Sequence, residues 1–219
     1  MIGVESMRVT VFGAAGSVGG EVVTEAVRRG HQVTAVVRAA TRFPELHPAA
    51  TPRIGDASSV EDVVALSTDH DVVISATRPA PGNEGQLVAT ATALLTGLAK
   101  TGVRLLLVGG AATLTVPGSG GGTVLDVPNH LPAEHRPIAL ACVQQLAVCR
   151  ADSTVEWAYL SPPALLLPGP RTGRYRLGTD ELVVDAEGAS TISTADLAVA
   201  LLDEAERPAH SRTRFTVGY

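Results

Sequence analysis

The chain has 219 residues, of which 45% are hydrophobic and 18% are charged, and its formal net charge is −5. This composition fits one compact domain over 1–219 and argues against disorder and against nucleic-acid or membrane partners. With no apolar run near the roughly 18 residues of a membrane span and no secretory signal, we expect a cytoplasmic protein. Residues 1–6 are expected to form a disordered leader. Cys142 and Cys149 lie seven residues apart on a predicted helix, too far for a disulfide, so both thiols are expected to be reduced.

Hydrophobic periodicity predicts strands and helices that alternate along most of the chain. The predicted elements are a strand at 8–12, a helix at 17–29, strands at 32–37 and 53–55, a helix at 60–66, a strand at 71–76, a helix at 84–100, a strand at 103–108, a helix at 137–152 and a strand at 155–160. Beyond these, Pro168-Gly169-Pro170 is expected to lead into a hairpin, followed by a helix at 194–206 and a strand at 214–217. Such units predict an α/β fold with a doubly wound parallel sheet, whose ligands bind beyond the C-terminal strand ends.

The first strand runs directly into a Gly-x-x-Gly-x-x-Gly turn, after which a helix begins at once. Gly13 permits the tight turn, Gly16 lets the backbone approach a pyrophosphate, and Gly19 lets the helix pack closely on the strand. The unpaired N–H groups of the first helical turn then face the phosphates. This strand–turn–helix context predicts a dinucleotide site that consists of Gly13, Ala15, Gly16, Ser17, Val18 and Gly19.

The end of the second strand distinguishes between the two nicotinamide cofactors. NAD enzymes typically place an acidic residue there to bind the ribose hydroxyls. Here the strand ends in Arg38, whose guanidinium can pair with a 2′-phosphate and stack on adenine, and Arg42 can add a second cation. NADP(H) is therefore favoured over NAD(H), although dual use and a plain surface role for Arg38 stay open. Asp56, after the third strand, is placed near adenine, and turn chemistry alone would explain it about as well.

Residue sets that support acid–base or metal chemistry are missing from the sequence. Most short-chain dehydrogenases use a Tyr-x-x-x-Lys pair, but the only lysine here is Lys100 and all three tyrosines follow it. No close histidine pairs or paired cysteines predict a metal site. These absences favour chemistry that the cofactor largely carries itself, such as hydride transfer to a flavin or quinone. For that reaction the protein aligns two rings and excludes water.

Segments along most of the chain resemble one known family. They are the glycine turn at 11–19, Arg38, Val108-Gly109-Gly110-Ala111-Ala112-Thr113-Leu114, Leu160-Ser161-Pro162, 168–178, 192–198 and Arg214-Phe215-Thr216-Val217-Gly218-Tyr219. Together they resemble the atypical short-chain dehydrogenases. Within that group, the chain is most similar to NADH-flavin reductases and NAD(P)H-binding proteins related to biliverdin reductase B. The resemblance extends over nearly the whole chain from Met7.

The resemblance implies a single NAD(P)-binding Rossmann domain with a small C-terminal extension on the substrate side. It implies a cofactor that lies over the strand ends and contacts Ala76, Thr77, Gly109, Gly110, Leu160, Ser161 and Pro162. Thr113 stands where relatives often have serine, so its hydroxyl is a candidate to contact nicotinamide or substrate, with packing in its loop as the equal alternative. His135 is the second catalytic candidate, as a proton donor or as a cover for the acceptor, although a loop histidine is more often a surface residue.

Together these expectations describe an NADPH-dependent reductase of a flavin, quinone or similar planar small molecule. Aromatic residues make up only 3% of the chain, so a flavin is expected as a passing substrate. The main alternative is a non-catalytic redox sensor that binds NADP(H), and a third is isomerisation or reduction of a sugar-like or isoprenoid substrate. Both a monomer and a homodimer fit the sequence.

Overall fold

The computed structural model describes residues 5–219, so the first four residues of the expected leader lie outside the described part. The strands are β1 (Arg8–Phe12), β2 (Gln32–Val37), β3 (Thr51–Ile54), β4 (Val72–Ser75), β5 (Arg104–Val108), β6 (Trp157–Ser161), β7 (Leu165–Leu167), β8 (Arg176–Gly178), β9 (Thr191–Ser193) and β10 (Thr213–Gly218). The helices are α1 (Ser17–Arg28), α2 (Val60–Ser67), α3 (Gln86–Thr101), α4 (Arg136–Ala151) and α5 (Thr194–Glu206), with 3₁₀ turns at Ala40–Glu45 and Ala133–His135. No helix within 5–219 is long and apolar enough to cross a membrane.

Eight of the strands form one sheet in the order β3-β2-β1-β4-β5-β6-β10-β8. All neighbouring strands are parallel except β10 and β8, which are antiparallel. The chain moves outward from β1 through β2 to β3 and then returns to place β4 on the other side of β1. This order confirms the predicted doubly wound α/β fold, and the switch point between β1 and β4 is where such sheets bind ligands.

Helices cover both faces of the sheet, so its strands are buried on two sides. α1 and α5 pack on one face, toward which Ile74 and Leu106 point, while α2, α3 and α4 cover Val73 and Leu105 on the other. Successive residues of β4 and β5 therefore enter opposite cores. This explains why these strands appear in the sequence as continuous apolar runs without polar alternation.

The region after Pro168-Gly169-Pro170 differs from the hairpin that the sequence predicts. β8 pairs with the distant β10, and β7 pairs in parallel with β9 in a separate two-stranded sheet. Arg171 also reaches the buried carboxylate of Glu25 on α1 (Nε to Oε2, 2.8 Å), which Arg28 and Arg29 bind as well. The segment is held by long-range contacts that no local turn pattern encodes, so the hairpin prediction is wrong.

Candidate functional site

The glycine turn between β1 and α1 lies at the switch point of the sheet and is tightly interlocked. Gly13 has a positive φ of +81°, and a Cβ on it would lie 2.6 Å from the carbonyl oxygen of Ala76, at the end of β4. A Cβ on Gly19 would overlap the carbonyl oxygen of Gly13. Only glycine fits these two positions, because one needs left-handed backbone and the other lets α1 approach the turn.

The first turn of α1 has amides that the protein itself leaves without partners. Gly16 is extended (φ −83°, ψ 167°), offers no side-chain cap, and is followed by no acidic residue in the first helical turn. The amides of Ser17, Val18 and Gly19 donate to no acceptor in the described part of the chain. These N–H groups and the positive end of the helix dipole are suited to bind an anion next to the turn that contains Ala15.

Arg38 and Asp56 lie at the ends of the neighbouring strands β2 and β3. The Arg38 side chain is exposed and forms no hydrogen bond or ion pair within residues 5–219. The carboxylate of Asp56 accepts bonds from the amide (2.8 Å) and hydroxyl (2.7 Å) of Ser58. The Ser58 amide is the main cause that lowers the pKa of Asp56, and the charge of Arg38 adds to it. Asp56 is thus engaged in the turn chemistry that the sequence left open, while the guanidinium of Arg38 is available to a ligand.

Arg42 is placed beside the glycine turn by the 3₁₀ turn that follows β2. Its Nη2 donates to the carbonyl oxygen of Ala15 (3.1 Å) and to Glu45 Oε2 (2.7 Å). The Glu45 carboxylate therefore offsets the charge of Arg42 where the sequence predicted a second free cation. Arg38 remains the main source of positive charge at this end of the site.

The glycines after β5 make room for a buried tyrosine. A Cβ on Gly109 would overlap the ring of Tyr159, and the Gly110 amide donates to the Tyr159 hydroxyl (3.3 Å). That hydroxyl donates in turn to Gln145 Oε1 (3.1 Å). Gly109 and Gly110 lie at the same sheet edge as Ala76 and Thr77, as predicted for the nicotinamide end, but packing against Tyr159 already accounts for both glycines.

The end of β6 contributes mainly buried groups. Leu160 is fully buried in the core, and its carbonyl oxygen accepts a hydrogen bond from the Gly109 amide (2.9 Å). Ser161 is also fully buried, and its hydroxyl has no partner among the described residues. Pro162 is half-buried. The side chain of Leu160 is therefore closed off from a ligand, which leaves Pro162 as the accessible member of the three predicted contacts.

The two catalytic candidates differ in how firmly they are held. Thr113 is half-buried, and its Oγ1 accepts a hydrogen bond from Nη1 of Arg214 (2.6 Å). His135 is exposed at the N-terminus of α4, and its ring contacts no hydrogen-bonding group in the described range. Sequence reasoning missed Arg214, although a charged residue inside a short apolar strand is a recognisable sign of a buried ion pair.

None of the three tyrosines has a free hydroxyl. Besides Tyr159, Tyr175 donates to Asp203 (2.6 Å) and Tyr219 donates to Asp196 (2.7 Å). Burial raises the pKa of Tyr159 and of Tyr175 well above the ordinary tyrosine range, and in Tyr175 the neighbouring Asp203 adds to the effect. These side chains are consequently structural and are poor proton donors for a reaction at the sheet edge.

Cys142 and Cys149 are free thiols on α4, as the sequence predicts. Burial raises the pKa of Cys142 to about 11 and that of Cys149 to about 12. Cys142 packs under Gly110, where an added Cβ would lie 2.8 Å from its sulfur. Since the reactive form of a cysteine is the thiolate, both thiols are unreactive at neutral pH. Cys149 is a core residue, and Cys142 packs under the loop after β5.

Comparisons with known proteins agree with this geometry. Residues 13–208 match the model of a family described as NAD(P)H-binding. The uncharacterized protein YwnB of Bacillus subtilis is 38% identical over 213 residues, which cover 96% of this chain and 98% of YwnB.

Among the solved structures that share the whole fold are two with descriptive names. One, from Bacteroides thetaiotaomicron, is titled a "putative epimerase"; it is 34% identical, with a TM-score of 0.88, and the match covers 98% of each chain. The other, from Streptococcus pneumoniae, is titled a "putative NADH-flavin reductase"; it is 31% identical, with a TM-score of 0.86, and the match covers 97% of this chain and 99% of that one.

Proposed function

Because this chain belongs to the NAD(P)H-binding family, we propose that it is an oxidoreductase that uses NADPH to reduce a flavin, a quinone or a similar planar acceptor. The observation that carries the proposal is the first turn of α1, whose three amides at the switch point have no partner among residues 5–219. A protein rarely leaves such groups unpaired unless water or a ligand binds them.

The residues of the turn fit the diphosphate of a nicotinamide cofactor. Gly16 is exposed and has no side chain, so a phosphate can reach the amides of Ser17 and Val18 directly. The helix dipole favours negative charge at this position, and α1 places no carboxylate of its own there to compete. The interlock between Gly13 and Gly19 keeps the amides in a fixed position before a ligand arrives.

The cations near the end of β2 support NADPH in preference to NADH. The exposed guanidinium of Arg38 makes no bond with another described residue, so it can pair bidentately with a 2′-phosphate. Glu45 holds Arg42 and offsets its charge, which makes Arg38 the main determinant. Asp56 is engaged by Ser58, so its carboxylate is less suited to bind the ribose diol of NADH.

The chemistry that the proposal needs is mostly supplied by the cofactor, which delivers a hydride to the acceptor when bound. The chain's own task is to hold the two rings together and to exclude water. Lys100 lies in the last turn of α3, at the opposite edge of the sheet, and the tyrosine hydroxyls are all engaged. An acceptor that can take its proton from solvent suits this site better than one that needs a strong protein acid.

The names of two related proteins bear on the reaction, and one of them names the proposed chemistry with NADH as the reductant. The Streptococcus pneumoniae protein is named for NADH-dependent flavin reduction, and the match covers nearly all of both chains. The Bacteroides thetaiotaomicron protein is named for epimerisation, a reaction that needs acid–base groups. With its tyrosines engaged, this chain is chemically better suited to reduction than to epimerisation.

We also propose a cytoplasmic location and either a monomer or a homodimer. The two free thiols on α4 are compatible with this location, since a reducing compartment keeps such groups reduced. Gel filtration with light scattering would determine the assembly, and fractionation of the source cells would determine the location.

The decisive experiment measures NADPH binding by calorimetry and steady-state NADPH oxidation with FMN and with menadione. Saturable turnover with either acceptor supports the reductase. Tight binding without turnover across a wider panel of acceptors would instead identify the redox sensor. If the folded protein bound neither NADPH nor NADH, both functions would be refuted.

A further inference from the structure

A buried arginine on the last strand, Arg214, binds the hydroxyl of Thr113, one of the two catalytic candidates. The side chain of Arg214, on β10, is only 4% exposed. Its Nη1 donates to Thr113 Oγ1 over 2.6 Å, and its Nη2 pairs with Asp180. Arg214 is 101 residues from Thr113 in the chain, so only the tertiary fold brings the pair together.

The direction of this hydrogen bond determines what the Thr113 hydroxyl can do. A guanidinium only donates, whereas a hydroxyl has one proton to donate and two lone pairs that accept. Thr113 must therefore accept the hydrogen bond from Arg214, and its own proton stays available to donate. No acceptor within residues 5–219 takes that proton, in contrast to Thr115 and Thr123, whose hydroxyls donate to the Asp180 carbonyl (3.1 Å) and to Asp126 (2.6 Å).

The surroundings of Arg214 strengthen its effect on Thr113. The guanidinium is shielded from water, so a charge-assisted bond from it polarises the hydroxyl more than it would at the surface. Asp180 is 70% exposed and balances the charge from the solvent side. Thr113 follows the Gly109-Gly110 pair, so its hydroxyl lies in the loop at the C-terminal edge of the sheet. The flavin, quinone or similar molecule that accepts the hydride is expected at this edge.

We propose that Arg214 is a positioning residue that fixes Thr113 as a hydrogen-bond donor to the acceptor oxygen that gains negative charge during reduction. The inference rests on the proposed function and names the groups that serve it. The acceptor gains one hydride, which carries two electrons, the cofactor is oxidised by two electrons, and water supplies the acceptor's proton. The Thr113 hydroxyl keeps its own proton and only donates a hydrogen bond, so it stabilises charge in the way that a positioned oxyanion donor does.

The test compares the wild-type protein with Thr113→Val, Thr113→Ser, Arg214→Met, the double variant Thr113→Val/Arg214→Met and the control Thr123→Val. Thr123 lies in the same loop and donates to Asp126. The value of kcat and the KM for menadione are measured at saturating NADPH. Thr113→Val and Arg214→Met are each expected to lower kcat by about 100-fold, the lower end of the effect found for loss of one oxyanion donor. Thr113→Ser should restore most of the activity, and Thr123→Val should retain all of it.

Two further readouts separate positioning from a general structural role. The dissociation constant of NADPH without acceptor, measured by fluorescence titration, should change by less than about threefold, since neither residue contacts the diphosphate site. The double variant should have a kcat close to that of Thr113→Val, because Arg214 acts through Thr113. Urea unfolding of the cofactor-free proteins should give non-additive losses of stability, as expected for two residues in direct contact.

The outcomes distinguish this inference from the proposed function. A wild-type protein that turns over menadione while Thr113→Val keeps full kcat would overturn the role of Thr113 and leave the reductase intact. Additive effects of the two substitutions, on kcat or on unfolding, would show that Arg214 does not act through Thr113. Absence of turnover in the wild-type protein would refute the proposed function itself, whereas the unfolding measurements would still test the Arg214–Thr113 contact.

Discussion

The N-termini of α1 and α5 lie on the same face of the sheet and are built in opposite ways. At α5, the Ser193 hydroxyl accepts the Asp196 amide (3.0 Å). The buried Asp196 carboxylate binds the amides of Thr172 (2.9 Å) and Gly173 (2.7 Å) and the Tyr219 hydroxyl (2.7 Å). At α1, by contrast, there is neither a side-chain cap nor an acidic residue in the first turn.

This difference shows how one type of element can serve stability or binding. A helix N-terminus always presents unpaired amides and partial positive charge. α5 satisfies one of them with the Ser193 hydroxyl and places the carboxylate of Asp196 in its first turn, where it also fixes the segment around Thr172. α1 leaves them without a side-chain partner beside glycines, where water or an external anion can bind them. The same physical property therefore stabilises the fold at α5, whereas at α1 it leaves the amides that we propose bind the cofactor.

The largest effect is expected at the N-terminus of α5, from Asp196→Ala. Four donors, including the Thr172 hydroxyl (2.6 Å), would lose a charged acceptor, and two of them are backbone amides. The free energy of unfolding should fall by about 3 kcal/mol, measured by urea denaturation. As a control, replacement of the exposed Asp126 should change it by less than about 0.5 kcal/mol. Equal losses of unfolding free energy in the two variants would show that the hydrogen bonds of Asp196 do not stabilise the fold.

The pH dependence of stability follows from the same carboxylate. Burial alone would raise the pKa of Asp196, but hydrogen bonds from Thr172, Tyr219 and Gly173 outweigh it and hold the pKa below its ordinary value of 3.8. A lowered folded-state pKa contributes stability that is present above pH 3.8 and is lost as the pH falls through the folded value. In Asp196→Asn, the free energy of unfolding should therefore fall less steeply than in the wild-type protein as the pH is lowered.

The uncapped N-terminus of α1 is tested by Gly16→Val, which should weaken NADPH binding without affecting folding. A Cβ at Gly16 would lie 3.2 Å from the Gly13 carbonyl, so the turn adjusts only slightly, but the branched side chain would cover the amides. NADPH affinity should fall at least about 100-fold, or roughly 2.7 kcal/mol, in a calorimetric titration. Gly20→Ala, one turn later and with ordinary 3.6 Å clearance, should bind normally. Unchanged affinity in Gly16→Val would refute the anion site.

A smaller and more selective loss is expected from Arg38→Ala. Removal of a charge-assisted bond to the 2′-phosphate should weaken NADPH by about 1.5–3 kcal/mol and leave NADH nearly unchanged. Dissociation constants for both cofactors, with Arg150→Ala on the far end of α4 as the control, provide the comparison. Equal weakening of the two cofactors would mean that Arg38 does not recognise the phosphate.

The smallest effect is expected from Glu45→Gln, which removes the charge that offsets Arg42. Both side chains are half-exposed, so the ion pair is screened by solvent. NADPH should bind about twofold to fivefold more tightly at low salt, and NADH should not respond. Tighter binding of both cofactors would place Arg42 near the diphosphate and not near the 2′-phosphate.

Much of the fold could be predicted from the sequence because its causes are local. The apolar runs at β1, β2 and β5, and the helix that starts at Ser17, were predicted to within two residues. The positive φ of Gly13 and the close packing at Gly19 agree with the geometry that their spacing requires. In these cases the residue and its consequence are separated by a few positions at most.

The candidate site was only partly predictable because several of its side chains are committed elsewhere. Asp56 was placed near adenine, yet its carboxylate is engaged by Ser58, and Arg42 is held by Glu45. The Gly109-Gly110 pair indicated a ligand loop, but it also accommodates the ring of Tyr159. A pattern can supply the residue type that chemistry needs without showing which partner takes it.

The sequence alone determined the strand–turn–helix unit, the parallel sheet and the lack of a Tyr-x-x-x-Lys pair, since periodicity, glycine spacing and composition act locally. Only the tertiary structure decided that β8 pairs with β10, that Arg171 binds Glu25 and that Arg214 holds Thr113. These contacts join residues that are far apart in the chain. Their geometry depends on the order in which the strands pack. A buried charged group needs a partner, and only the packed strands bring that partner near.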